Sequence, residues 1–255
     1  MGEIIRVLAV DDDEFIQIII KNAVQGFGYQ VKVVGNGLDF MDAFTVGNYD
    51  LVILDINMPV MDGWNLMHQI RHNFPEPKKN IPAIALTGHT ELELIERIKK
   101  SGFNFYLTKP FAPIALKNII DQCISGEEGF AEYFDVSDAS SSLHPDIHQL
   151  EFYADGDTDF LRSIVTTFNK NAPKTLGSMQ AYCREKRWDE LAAEAHRFSP
   201  HFGVLGIQRM ASLVDSIHEE ALKGRRQDAL QDMIDDLEGK TGLVIEKLKQ
   251  YIQKL

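Results

Sequence analysis

Five times in the first half of this 255-residue chain, a short apolar run is followed by a longer amphipathic stretch. Parallel strands cannot be joined by a tight hairpin and need a crossover, so this alternation predicts a parallel sheet covered by helices. The apolar runs are 4–10, 29–34, 50–54, 81–86 and 104–107, and most hardly alternate, which predicts strands buried on both faces. The helical patterns are 14–27, 38–46, 64–73, 91–101 and 113–124, separated by turn residues such as Gly28, Gly35, Pro75 and Gly102. Residues 1–124 are therefore expected to form a doubly wound α/β domain.

From 125 to 147 the composition shifts to Gly, Ser and acids without a Lys or Arg, the pattern of a solvated linker. Helical periodicity then returns through Leu255 with breaks at Gly156, near Lys186 to Trp188, at Leu205-Gly206 and at Gly224. Residues 148–255 are thus expected to form an all-helical domain of four-helix-bundle type, its last two helices joined across 223–227. Pro173, inside a long helical pattern, is expected to kink or divide its helix.

Charge narrows the function classes. Lys and Arg number 26 against 38 Asp and Glu, a formal net charge of −12, which repels phosphate backbones and anionic membrane surfaces. Nucleic acid is not an expected partner, and the pair Arg225-Arg226 reads as a loop between helices. No stretch approaches the roughly 18 apolar residues of a membrane span, so no membrane insertion is expected. The first apolar run is too short for a secretory signal, and Arg6 occupies the position where myristoylation would want Ser or Thr. Cys123 and Cys183 lack metal-ligand spacing and read as buried thiols. The expected location is the cytoplasm.

In a doubly wound sheet, chemistry gathers at the carboxyl ends of the strands. The first predicted strand runs into Asp11-Asp12-Asp13, the third into Asp55, the fourth into Thr87 and the fifth into Lys109-Pro110. Asp13, followed by Glu14, reads as a helix cap. Asp11, Asp12 and Asp55 differ, because crowded carboxylates raise one another's pKa unless a cation neutralises them. A hard divalent ion such as Mg²⁺ suits such a set, and Lys109 supplies a fixed positive charge.

These residues resemble the receiver domain of two-component response regulators, over about residues 4–124. The resemblance rests on Asp11-Asp12, the segment Asp55-Ile56-Asn57-Met58-Pro59-Val60-Met61-Asp62-Gly63, Thr87-Gly88, and Tyr106-Leu107-Thr108-Lys109-Pro110. It implies a flavodoxin-like (βα)5 fold. It also implies that Asp55 is the phosphoacceptor and that Asp12, Asp55 and the Asn57 carbonyl bind Mg²⁺, with Asp11 helping through water. Thr87 would hydrogen-bond the phosphoryl group, Lys109 would pair with it, Tyr106 would be an aromatic switch, and Lys109-Pro110 would be a cis peptide. The chemistry agrees with those roles, since in-line phosphoryl transfer asks the protein for positioning and charge rather than proton transfer.

The helical half carries His196 in the segment Ala195-His196-Arg197-Phe198-Ser199-Pro200-His201-Phe202-Gly203-Val204-Leu205-Gly206. At about 100° per residue, Trp188, Leu191, Ala195, Phe198 and Phe202 share one stripe facing the core, with His196 off it. Small residues flank it at Ala192, Ser199 and Gly203, where a docking domain could approach the ring. The segment resembles the signature of histidine phosphotransfer domains, in which Lys follows the histidine at +3 and Gly at +4 and +10. Gly206 matches; Ser199 and Pro200 depart. Losing the Lys removes a cation that Arg197 or a partner would have to replace, and Pro200 is expected to kink the helix or restart it with Ser199 as cap. His144 and His148 have i, i+4 spacing but flank Pro145, and read as a solvated helix end.

The expected function is that of a phosphorelay intermediate of bacterial two-component type. A histidine kinase donates to Asp55, and His196 carries a phosphoryl group to or from the receiver of a downstream response regulator. No ATP-binding segment is present, so the chain is expected to be a phosphotransfer protein and not an ATP-driven kinase. The alternatives are an interaction module switched by phosphorylation whose helices no longer transfer phosphate, and the terminal part of a hybrid sensor kinase.

Overall fold

The computed structural model describes residues 4–88, 92–126, 145–224 and 227–255. The chain divides into two compact units, Met1–Asp135 and Val136–Leu255. The acidic stretch 127–144, with His144, and the pair Arg225-Arg226 lie outside the described residues.

In the first unit the described residues form one parallel sheet of strands β1 (Arg6–Val10), β2 (Gln30–Val34), β3 (Leu51–Asp55), β4 (Ala83–Thr87) and β5 (Phe105–Thr108), in the order β2-β1-β3-β4-β5. Helices α1 (Glu14–Gly26), α2 (Gly37–Val46), α3 (Gly63–Asn73), α4 (Leu92–Lys100) and α5 (Pro113–Ser125) provide the crossovers. This is the flavodoxin-like doubly wound architecture. Every residue of β3 and β4 is buried, as their unbroken apolar runs require. β2 departs from that expectation: as an edge strand it leaves Gln30 and Lys32 exposed.

Alternation along the strands splits the core. Leu8, Val10, Val52, Leu54, Ala83 and Ala85 pack with Phe40, Phe44, Leu66, Ile70 and Ile98 from α2, α3 and α4. The intervening Val7, Ala9, Leu51, Ile53, Ile84 and Leu86 point the other way, the side on which α1 packs with α5. Caps fix the helix starts. Phe15 N–H donates to Asp13 Oδ1 (2.8 Å) at α1, and Asn65 N–H to Asp62 Oδ1 (2.8 Å) at α3.

Both cysteines are buried, and burial pushes the Cys123 thiol up to about 12. Arg71 has a role that its sequence position does not announce. From the last turn of α3 its guanidinium donates to the Gly102 carbonyl (2.8 and 3.2 Å) and to the Lys79 carbonyl (2.7 Å), tying two loops to the helix. Burial lowers its pKa to about 10.

The described residues of the second unit form α6 (Ile147–Ala154), α7 (Thr158–Glu185), α8 (Trp188–Val204), α9 (Gln208–Leu222) and α10 (Gln227–Ile252). α7 packs on α8, α8 on α9, α9 on α10 and α10 back on α7, closing a four-helix bundle with α6 resting on α7. Neither internal proline divides its helix: α7 runs through Pro173 and α8 through Pro200 without interruption. The lost hydrogen bond and ring clash, roughly 3 kcal/mol, are offset by buried neighbours on the same helices, Phe168, Ala172 and Leu176 in α7 and Phe198 and Phe202 in α8. His148 lies exposed in the first turn of α6, 3.7 Å from Glu151, as a solvated helix end would. Among the described residues, no helix is long and apolar enough to cross a membrane.

Arg71→Leu keeps the packed stem but strands two loop carbonyls. It is expected to lower stability by about 3 kcal/mol, read as a fall in the urea midpoint at unchanged slope.

Candidate functional site

Strand register builds the first site. Val10 pairs with Leu54, Asp55 with Leu86 and Thr87 with Thr108, so the residues ending β1, β3, β4 and β5 reach one level of the sheet. The ladder continues just past the strand ends: Asp11 N–H donates to Val34 O (3.2 Å), Ile56 N–H to Leu86 O (3.0 Å) and Lys109 N–H to Thr87 O (2.7 Å). The chain leaves β1 toward β2 on one side and returns to β3 on the other, so this level is also the switch point of the fold.

There, Lys109 Nζ stands 2.6 Å from Asp11 Oδ2 and 2.9 Å from Asp55 Oδ2, with all three side chains nearly closed to solvent. Asp13 N–H donates to Asp11 Oδ1 and Asn57 N–H to Asp55 Oδ1, each at 3.1 Å, so backbone amides hold the outer oxygen of each carboxylate. Gln17 Nε2 donates to the Asp11 carbonyl (2.8 Å) and braces the turn. Asp12 is half-buried beside them, and one carboxylate oxygen from each of Asp11, Asp12 and Asp55 lies within 4.8 Å of the others. Thr87 is buried at the end of β4, and Tyr106, paired with Ala85 on the neighbouring strand, is fully buried on the same face of the sheet. Lys109-Pro110 is cis, as the resemblance implied.

The electrostatics of this acid cluster suit a bound cation. Burial raises the Asp11 carboxyl well above the usual carboxylate range; Lys109 opposes that, while Asp55 and Asp13 add to it. Burial also works against the Lys109 ammonium, but Asp11 and Asp55 outweigh it and raise its pKa, so it stays charged. Three carboxylates against one ammonium leave a formal charge of −2. A divalent ion held by oxygen ligands fits that donor set.

The loop after β3 is tightly drawn. A Cβ on Gly63 would stand 2.4 Å from the Asp55 carbonyl oxygen, so only glycine lets α3 start this close to the acceptor strand. Val60 carries a φ of 67° and is 96% exposed. A β-branched residue in the left-handed region is strained, and here nothing is gained by burying it.

The second site has a different setting from the one its sequence predicts. Leu191, Ala195, Phe198 and Phe202 do face the core, and His196 is half-buried beside that stripe. Ala192, Ser199 and Gly203, however, do not form an open landing surface, because all three are buried, the first two against α9 and Gly203 with its carbonyl taken by Gln149 of α6 (2.7 Å). Ser199 Oγ donates to the Ala211 carbonyl (3.4 Å), and His218 Nδ1 lies 2.9 Å from the Ala192 carbonyl oxygen. The small side chains admit a neighbouring helix.

Arg197 pairs with Glu194 (2.5 Å), so its charge is already matched within α8. His218 of α9 brings its ring to 5.4 Å from that of His196, centroid to centroid. Spacing along the chain could not reveal this pair, since its members sit on separate helices. Gly206, the match at +10, takes a φ of 69° where α8 ends, and the start of α6 packs there with Asp146 N–H on the Leu205 carbonyl (2.9 Å). Its role in the fold is to form that turn.

Comparison with known proteins agrees with the first site. Residues 7–121 match the response regulator receiver domain. The chemotaxis protein CheY-3 of Vibrio cholerae is 31% identical over 46% of this chain and 89% of its own length. The sensor protein EvgS of Escherichia coli is 26% identical over 176 residues, 69% of this chain but 14% of EvgS. Among solved structures, the V. cholerae chemotaxis protein CheY4 aligns at 29% identity with a TM-score of 0.45, covering 48% of this chain and 99% of that one. The chain belongs to the response regulator receiver family through its first domain, and so to two-component signalling.

Relieving the strain at Val60 gives a clean check on the loop. Val60→Asn is expected to raise stability by about 1 kcal/mol, whereas the equally branched Val60→Thr should leave the denaturation midpoint where it was.

Proposed function

We propose that this chain is a phosphorelay intermediate: Asp55 accepts a phosphoryl group from the phosphohistidine of a histidine kinase, and His196 carries one to or from a receiver aspartate. The observation that carries the first half is the geometry of Lys109 on Asp11 and Asp55 beside Asp12, at the switch point of a receiver fold.

Asp12, Asp55 and the backbone of Asn57 would hold Mg²⁺, with Asp11 acting through water; bound there, the ion offsets charge on phosphoryl oxygens. Asp55 supplies the attacking carboxylate, aimed by the Asn57 amide and the Lys109 ammonium. When the P–O bond to Asp55 forms, the P–N bond of the donor breaks and the imidazole leaves with that electron pair. Lys109 then pairs with the new phosphoryl group, Thr87 donates its hydroxyl to it, and Tyr106 responds by changing its packing.

For the second half, the support is a closed four-helix bundle bearing a half-buried histidine on its second helix, following a receiver. The alignment with EvgS is longer than the 7–121 receiver match, so it includes residues beyond it. EvgS and the sensor histidine kinase GacS of Pseudomonas protegens, of which the chain covers 14% and 13%, also support a reading of this chain as part of a hybrid sensor kinase. One observation favours an interaction module instead: α9 covers Ala192 and Ser199, which would otherwise open the approach to His196.

Incubation with a phosphorylated cognate kinase and Mg²⁺ should label the chain at an acid-stable, base-labile aspartyl phosphate, and Asp55→Asn should abolish the label; a label that persists would remove Asp55 from the account. His196→Gln should leave Asp55 labelling intact while blocking transfer to a downstream receiver, and unchanged onward transfer would favour the interaction module. Mg²⁺ at 100 times its Kd should stabilise the receiver by about 2.7 kcal/mol, an effect that Asp12→Ala should largely remove.

A further inference from the structure

His196 has a neighbour. The His218 ring of α9 lies 5.4 Å from it, centroid to centroid, with the two planes inclined by 39°. That spacing lets a nitrogen of one ring meet a nitrogen of the other at the roughly 3 Å of an ordinary hydrogen bond. His218 is itself held. Its Nδ1 sits 2.9 Å from the carbonyl oxygen of Ala192, one turn before His196. A carbonyl only accepts, so Nδ1 carries the proton, and in the neutral ring the lone pair is then at Nε2. Since Pro200 has no N–H, the usual i+4 donor to the His196 carbonyl is also gone, and α8 alone holds this turn less firmly.

We infer that His218 is a positioning residue for His196. Nε2 of His218 accepts the N–H of one His196 nitrogen, which fixes the tautomer and leaves the other nitrogen's lone pair to attack phosphorus. This inference rests on the reading of His196 as a phosphoryl carrier. The step balances with a small donor such as phosphoramidate. A lone pair of His196 forms the new P–N bond, the donor's P–N bond breaks, and ammonia leaves with that pair. The proton on the second His196 nitrogen stays in the hydrogen bond to His218, which shares the positive charge the ring acquires. The arrangement orients the His196 ring from α9 and does not replace the cation that Ser199 lacks and that Arg197 spends on Glu194.

The test uses the full chain carrying Asp55→Asn, so that the acceptor of the first domain is silent, and phosphoramidate as donor. The readout is acid-labile, base-stable label at His196, alongside ¹⁵N NMR of the His196 ring, which reports its tautomer without any phosphate. Two variants separate positioning from packing. Asn at 218 places a polar group where Nδ1 was and keeps the bond to Ala192; Gln places one where Nε2 was. His218→Asn should slow labelling by roughly 10- to 100-fold, the range for lost orienting partners of histidine, and should let the His196 tautomers mix. His218→Gln should recover most of that rate and one tautomer.

Labelling and tautomer unchanged in His218→Asn would overturn the inference. So would equal slowing in both variants with the His196 tautomer undisturbed, since that pattern belongs to packing. A separate arm isolates the underlying reading. If His196→Gln in the same background still takes the acid-labile label, His196 is not the carrier, and the positioning inference falls with the phosphorelay reading rather than by itself.

Discussion

One ammonium between two carboxylates organises the first domain's chemistry. Lys109 reaches Asp11 and Asp55 from the end of β5, and its contacts are possible only because β1, β3 and β5 run parallel and end at one level. Buried ion pairs gain little net stability, because desolvation consumes most of the attraction. Their value here lies in geometry. Backbone amides of Asp13 and Asn57 take the outer oxygens, so the acids are aimed while a net negative charge remains for a cation to meet. The close start of α3 at Gly63 draws the loop tight around the acceptor.

Much of this was legible in one dimension. Apolar runs that stop abruptly at Asp11, Asp55, Thr87 and Lys109 announce strand ends, and parallel topology places strand ends together. Asp13 was legible as a cap because an acid before a helical pattern has that use, and its bond to Phe15 N–H agrees. What escaped the sequence depends on neighbours that no local pattern names. Both β3 and β2 lie in runs read as apolar, but Gln30 and Lys32 alternate with valines in β2, and its place at the sheet edge is what leaves them exposed. Arg71 is an ordinary helix-end cation until two loops bring their carbonyls to it.

The helical unit shows the same limit more sharply. A helical wheel places Ala192, Ser199 and Gly203 beside His196 but cannot say whether a partner or a neighbouring helix covers them, and neighbouring helices do, α9 at the first two and α6 at the third. The rule that proline ends a helix acts locally, while Pro173 and Pro200 sit where buried neighbours on both sides keep α7 and α8 whole. The breaks at Gly156, Gly206 and Gly224 were legible because glycine suits the left-handed backbone found there. The His196–His218 pair joins two helices and has no signature along the chain.

The central claim is that the pocket of Asp11, Asp12, Asp55 and Lys109 makes one aspartate a phosphoryl acceptor with the help of a divalent ion. Peptide mapping of the wild-type chain after exposure to a small acyl phosphate, with Mg²⁺ in one sample and a chelator in the other, tests it most directly. The account predicts modification confined to the peptide bearing Asp55 and lost in the chelator. Modification spread over other carboxylates, or equal in both samples, would contradict it.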